Sequence, residues 1–438
     1  MKKDLHIKIH EITRVEGHGN IVIDVRKGRI KELRFDIIES PRFFEVMLVG
    51  RKYDEAHHIM SRICGICAVS HTSASLKAVE AAMGMTISRQ STLLRKLAFC
   101  GESIQSHILH LFFLVFPDLL GAGSIAPLLT AEPRLAGTGL ELKRLANEIC
   151  AVVGGRHIHP ISLFPGGVVH TPAEADLKRL KKALLASFAK LDYTLDFLSK
   201  IPVPQFAKPR ETSSLREFIS LKARGEYPLY SGKPYSNKEG AIEPDDYTRK
   251  VKEYCVNHST AKHARTKSGT FMVGALARLN NNFKLLSPRA RAAAKKAGMT
   301  LPIENPFMNN MAQLIECFHL TDEAVCHIDS LIENGLKSEA IKKPRPDFKG
   351  GRGIGIVEAP RGTLYHDYTI DKNGIVKKAE CVIPTAQNLR SIEDDLKALV
   401  PALLDRPREE IRQSVETLVR AYDPCISCST HVMDVRFV

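Results

Sequence analysis

The sequence has no tryptophan, and aromatic residues make up only 6% of it. It has no apolar run near the roughly 18 residues that a membrane-spanning helix needs. The longest candidate, from Ile108 to Leu120, is interrupted by His110 and Asp118 and reads as a buried helix. The N-terminus, Met-Lys-Lys-Asp-Leu-His, lacks the apolar core of a secretion signal. There is no internal repeat and no low-complexity tract. No Gly-x-Gly-x-x-Gly fingerprint marks a nucleotide site. Six of the ten cysteines (Cys100, Cys150, Cys255, Cys317, Cys326 and Cys381) are isolated, so no disulfide framework is laid out. Their spacing does not suit an iron–sulfur cluster either. The net charge of +14 is spread along the chain, with short clusters such as Lys178 to Lys182. Without a nucleic-acid motif, this predicts a solvated basic surface, one suited to an acidic partner or an anionic cofactor.

The chain does contain two Cys-x-x-Cys pairs. One lies in Arg62-Ile63-Cys64-Gly65-Ile66-Cys67, the other in Asp423-Pro424-Cys425-Ile426-Ser427-Cys428, with His431 close behind. This spacing lets two thiolates converge on one metal. A zinc ribbon separates its pairs by roughly 15–20 residues; here 357 residues intervene. If the pairs meet, one four-thiolate site closes almost the whole polypeptide. The alternative is two unrelated pairs, a redox dithiol and a structural zinc half-site. A length of 438 residues suggests about two or three domains. Pairing the two ends predicts instead one interwoven body, 1–438. Ligand-competent thiols favour a reducing compartment, the cytoplasm.

Residues 5–39 alternate apolar and polar side chains around Lys27-Gly28-Arg29, a hairpin signature. After Cys67, an alanine-rich helix with a small packing face runs to Gly84, with Ser70, Thr72 or Ser73 available to cap it. Its dipole favours anionic thiolates just before it. Helical periodicity covers 91–116, 138–153, 173–200, 308–335, 386–402 and 408–421. Residues 202–246 read as a long surface excursion with small strands, and 354–383 as short strands around an Asp371-Lys372-Asn373-Gly374 turn. The class is mixed α/β, predominantly helical, with a central helical bundle and small peripheral sheets.

The motifs resemble the large subunit of nickel–iron hydrogenases. The resemblance rests on Thr13-Arg14-Val15-Glu16-Gly17-His18, on both cysteine pairs with His71 and His431, and on Glu358-Ala359-Pro360-Arg361-Gly362. It extends to Gly154-Gly155-Arg156, His159-Pro160 and Pro165-Gly166-Gly167, in family order from one end to the other. The short length and Pro41-Arg42-Phe43-Phe44-Glu45 look most like the cytoplasmic, bidirectional branch. The resemblance implies reversible heterolytic cleavage of H2, with electrons passed to an iron–sulfur small subunit and on to a soluble acceptor such as NAD(P). A hydrogen sensor or a non-catalytic complex subunit of the same fold is the alternative function.

By resemblance, Cys64 and Cys425 are terminal nickel ligands. Cys67 and Cys428 bridge to an iron carrying carbon monoxide and cyanide. Glu16 takes the proton from a terminal thiolate, or else simply pairs with Arg14. Arg361 lies beside the cyanides and the open metal position, and Thr385 bonds a cyanide. Asp118 matches a carboxylate near the active-site canopy. A magnesium or similar hard ion takes Glu45, the Cys381 carbonyl and His431. The iron–sulfur clusters lie in the partner. Further implied partners are flavin/NAD(P), deazaflavin or heterodisulfide-reductase-type electron-transfer subunits, nickel-insertion proteins and a maturation endopeptidase. That last enzyme would clip the tail 432–438 after His431.

Overall fold

The computed structural model describes residues 4–206 and 215–430. Strands β1 (Leu5–Ile9), β2 (Gly19–Arg26) and β3 (Arg29–Ile37) form an antiparallel sheet in chain order. The expected hairpin is β2–β3, and Lys27 and Gly28 both adopt positive φ in its turn. Four long helices follow: α1 (Ala68–Met83), α2 (Arg89–Leu109), α3 (Pro133–Gly154) and α4 (Glu174–Leu198). Helix α2 continues through a π-helical segment, His110–Val115, into Phe116–Leu119. The stretch Arg89–Leu119 is long and apolar enough to cross a membrane, but its most apolar window is 83% buried inside the protein. It is a core helix, packed on α3 and on α5 (Asn309–Glu333).

Between α4 and α5 lies the strand β4 (Glu217–Lys222), the hairpin β5 (Lys252–Val256) and β6 (Ser259–Arg265), and several short elements. The expectation of a surface excursion fails at β4. Glu217 to Leu221 are buried, and β4 sits inside a four-stranded sheet. Its polar letters disguised it. The Glu217 carboxylate is buried because hydroxyls of Ser236 and Thr266 each donate to it at 2.6 Å.

The antiparallel sheet β7 (Gly350–Ala359), β8 (Gly362–Asp371) and β9 (Val376–Val382) is largely buried and carries α1. The contact is unusually close. Alternate glycines of β7 face alanines four apart on α1, and the two periods coincide. A Cβ at Gly353 would lie 2.1 Å from the Ala78 carbonyl oxygen, and one at Gly355 1.9 Å from that of Ala74. Strand β7 runs directly into the Pro360–Arg361 turn, and α1 begins directly after Cys67. The glycine stripe therefore fixes one cysteine pair relative to Arg361. Helices α6 (Pro384–Leu403) and α7 (Arg408–Ala421) then lead to the second pair.

Replacing Gly355 by Ala puts a methyl group into backbone that cannot yield. The expected loss is at or above the usual overpacking cost of about 1–3 kcal/mol. Thermal unfolding of the purified chain checks it, and an unchanged melting temperature would show that α1 can shift off the strand.

Candidate metal centre

The two cysteine pairs meet. Cys64 Sγ lies 3.5 Å from Cys425 Sγ, Cys67 Sγ 3.5 Å from Cys428 Sγ, and Cys425 Sγ 2.7 Å from Cys428 Sγ. All four sulfurs fall within 4.8 Å of one another and all four residues are buried. Two thiolates bound to one ion at about 2.3 Å can stand up to about 4.6 Å apart, so this is the spacing of a ligand set. The electrostatics agree. Hydrogen bonds from Cys425 and Cys428 hold the Cys64 thiol well below its usual range, whereas burial pushes Cys425 and Cys428 well above it. Burial works against four thiolates side by side, so a bound cation is needed to hold them all ionised.

Each pair sits where a loop becomes a helix. Cys67 is the N-cap of α1 and Cys425 that of the short helix Ile426–Ser429. No hydroxyl caps α1. The Glu102 carboxylate instead accepts from the Val69 amide, and from the Ser70 amide at 2.9 Å. Gln105 holds the Ile66 carbonyl at 2.6 Å, and His159 the Ser61 carbonyl at 2.9 Å, bracing the Cys64 loop from both sides. His71, one turn into α1, meets His366 at 3.2 Å.

Glu16 reaches the sulfurs. Its Oε2 lies 3.0 Å from Cys425 Sγ and accepts the Ser427 amide at 3.1 Å. Its carbonyl accepts the Ile426 amide at 2.8 Å. Gly17 must be glycine here: its φ is +87°, and a Cβ would stand 2.6 Å from Ile426 Cβ. Beyond lies Glu39, which accepts from Ser427 Oγ at 3.1 Å and meets the exposed His18 at 3.3 Å.

Arg361 is buried with its Nη2 donating to Asp423 Oδ1 at 2.9 Å and its Nε to the Asp423 carbonyl at 2.8 Å. Burial opposes its charge, but Asp423 and the neighbouring thiols outweigh this and keep the guanidinium ionised. Asp423 is itself held by Gln313 at 3.0 Å, and Gln313 by His110 at 2.6 Å. Arg278 fixes the approach to Arg361. It donates to the Ala359 and Pro360 carbonyls, both at 3.0 Å, while paired with Glu316 and Glu358. None of Asp423, Arg278, Glu316 or Glu102 stood out in the sequence as a site residue. The one available signal was Asp423, inside the Asp-Pro-Cys motif.

Thr385 Oγ1, in the first turn of α6, accepts the Cys425 amide at 2.9 Å. Asp118 is placed differently. Both its oxygens are taken by the guanidinium of Arg420, and one also by that of Arg14. These ion pairs tie the Glu16 loop to α7, and Asp118 makes no described contact with a cysteine. Glu45 Oε1 accepts the Cys381 amide at 2.6 Å. Burial pushes this carboxyl up to about 8, so its anionic form needs a nearby cation. His431 lies outside the described residues, as does 432–438. The carbonyl of Thr430, just before it, accepts the Arg42 amide at 2.7 Å, and Arg42 stands three residues from Glu45.

Sequence and structure comparisons agree with this arrangement. The family described as nickel-dependent hydrogenase matches residues 42–136 and 219–431, and one described as HoxL-like matches 6–40. The chain is 33% identical to sulfhydrogenase 1 subunit alpha of Pyrococcus furiosus, over 98% of both. It is 26% identical to NAD-reducing hydrogenase HoxS subunit beta of Cupriavidus necator, over 97% of this chain and 94% of that one. The solved NAD+-reducing NiFe-hydrogenase in the H2-reduced state superposes with a TM-score of 0.88 at 27% identity. That match covers 98% of this chain and 99% of the other.

Removing Asp118 leaves Arg420 buried without its main counter-charge. Asp118→Ala is expected to cost about 3–5 kcal/mol in urea unfolding of the metal-free chain. Wild-type stability in that variant would free Asp118 from a structural role.

Proposed function

This chain belongs to the nickel-dependent hydrogenase family as a large subunit, and on that premise we propose how its residues divide the work of splitting hydrogen. It is an oxidoreductase, the hydrogen-cleaving subunit, and its four converged cysteines are placed to hold a nickel–iron centre. We assign Cys64 and Cys425 as terminal nickel ligands, and Cys67 and Cys428 as the bridges to iron. Carbon monoxide and cyanide would complete the iron, with Thr385 and Arg361 as the polar groups beside them. When bound, the centre supplies the Lewis acidity at which H2 polarises.

The chain's own residues handle the proton. The observation that carries this reading is the 3.0 Å contact between Cys425 Sγ and Glu16 Oε2, within reach of direct transfer. Cys425 takes the proton as a thiol, and Glu16 removes it. Glu39 and His18 lead on to solvent, since Glu39 sits against Ser427 beside Glu16. Arg361 keeps a fixed positive charge next to the thiolates, and Asp423 orients it in two dimensions through a fork. The proton path begins at the Cys425 side of the cluster, where the first segment of the chain, carrying Glu16, is pinned to the last.

Glu45 and the Cys381 carbonyl, with His431, are proposed to bind magnesium, a hard ion that keeps several waters. Cleavage of 432–438 would follow metal loading and expose a carboxylate at His431 to that ion. Electrons leave through an iron–sulfur small subunit. Further electron-transfer subunits, with NAD(P) as one acceptor in view of the NAD-reducing relatives, would complete the enzyme. Nickel-insertion proteins and an endopeptidase would mature it. Ten free thiols support a cytoplasmic setting. The interwoven body, from the 5–39 hairpin to the last helix, is proposed to fold as one domain.

Purified complex should contain nickel and iron and show carbon monoxide and cyanide infrared bands; turnover without nickel would remove the assignment. Glu16→Gln should retain both metals yet lose hydrogen–deuterium exchange by roughly 10²–10⁴-fold, since an amide cannot relay the proton. Near-normal exchange would move the relay elsewhere. Intact mass of active enzyme should end at His431. With magnesium on Glu45, a hundredfold excess of Mg2+ over Kd should stabilise the fold by about 2.7 kcal/mol, read as a higher melting temperature. Glu45→Gln should abolish that dependence.

A further inference from the structure

Apart from the thiols, one other set of metal-competent side chains converges among the described residues. Ligand atoms of His258, His263 and Glu393 all lie within 4.8 Å of one another. His258 is in the turn of the β5–β6 hairpin, His263 is on β6, and Glu393 is on α6. The hairpin is irregular. Ser259 faces Val256, so regular pairing would put His263 opposite Lys252; a bulge puts it opposite Tyr254 instead. Thr260 anchors the bulge, its hydroxyl bonding the Ile37 carbonyl at 3.1 Å and the Glu39 carbonyl at 2.6 Å. Glu393 Oε1 accepts the Phe35 amide at 3.1 Å and stands 2.8 Å from His258 Nε2.

An ordinary His–Glu pair would explain His258 and leave His263 without a purpose. His263 is only 1% exposed, and among the described residues neither of its ring nitrogens has a hydrogen-bond partner. Every tautomer of imidazole carries a donor or acceptor that a buried site is expected to satisfy. Burial pulls its pKa down to about 3 and keeps the ring neutral, the form that binds metals. A cavity of about 510 Å³ opens beside the group, lined in part by Lys31, Arg34, Arg390 and Lys397. Those cations are mostly spoken for. Arg34 meets Asp36 at 2.6 Å, and Arg390 and Lys397 meet Asp394 at 3.1 and 3.7 Å.

We propose that His258, His263 and Glu393 bind a divalent transition ion of the zinc class, at a site separate from the four thiols. Two imidazoles and a carboxylate are a ligand set that zinc takes at about 2.0–2.2 Å, leaving a fourth position. The cavity that His258 and Glu393 line would supply water to that position. The ion would tie the β5–β6 hairpin to α6, the helix whose first turn holds Thr385 against Cys425.

The test uses the whole purified complex, treated with a mild chelator, loaded with Zn2+ and passed through gel filtration. Elemental analysis should find about one zinc per large subunit in addition to nickel, the stoichiometry of a single three-ligand site. His263→Leu and Glu393→Gln should each weaken zinc binding beyond the roughly 10–100-fold that losing an outer partner costs. Nickel content and hydrogen–deuterium exchange should be unchanged. Cobalt substitution should give a nitrogen–oxygen spectrum without thiolate charge transfer. If His263→Leu fails to fold, His258→Asn carries the same comparison. No retained zinc in the wild type, equal binding in all variants, or a cobalt spectrum of thiolate ligation alone would each overturn the proposal.

Discussion

Four sulfurs packed within 4.8 Å of one another in a buried core cannot all be thiolates unless positive charge is placed among and around them. The fold answers part of that demand before any metal arrives. Arg361 brings a permanent cation to the cluster, and Asp423 keeps that cation from being an isolated buried charge. Asp423 in turn leans on Gln313 and, through it, on His110. The polar order runs outward from the sulfurs, each group made tolerable by the next.

The same logic recurs on both flanks of the site. Arg278, fully buried, is balanced by Glu316 and Glu358 while its spare donors hold the turn that presents Arg361. Arg420 and Arg14 share Asp118 and so bind α7 to the loop carrying Glu16. Buried pairs of this kind add little net stability over well-packed apolar substitutes, but breaking one leaves a stranded charge. They act as locators. Each joins segments far apart in sequence that frame the sulfur cluster and the Glu16 carboxylate against it.

What could be read from the sequence was what lies in contiguous motifs. The cysteine pairs, Glu16, Arg361 and Thr385 were all legible, and the structure brings them together. The β2–β3 hairpin and the long helices followed from periodicity. What escaped depends on which segments meet. Asp423 was visible only as a motif letter, because its partner lies 62 residues away. The hydroxyls expected to cap α1 were displaced by Glu102, which arrives from α2. The alternation of Gly351, Gly353 and Gly355 has meaning only opposite Ala82, Ala78 and Ala74. The burial of strand β4 was hidden because its polar residues are satisfied by partners beyond the local window.

Arg42 shows how far the two ends of the chain are made one object. Its guanidinium donates to the carbonyl of Arg62 at 2.9 Å and to that of Ser427 at 3.4 Å, and its amide to that of Thr430 at 2.7 Å. A single residue thus touches the loop before Cys64, the turn between Cys425 and Cys428, and the segment leading to the chain's end. It also stands three residues before Glu45, whose carboxylate holds the Cys381 amide. Any movement of the last segment is therefore felt at both cysteine pairs and at Glu45 together. The four sulfurs and the Glu45 carboxylate therefore rest on one shared framework: the backbone that braces both cysteine pairs also carries Glu45.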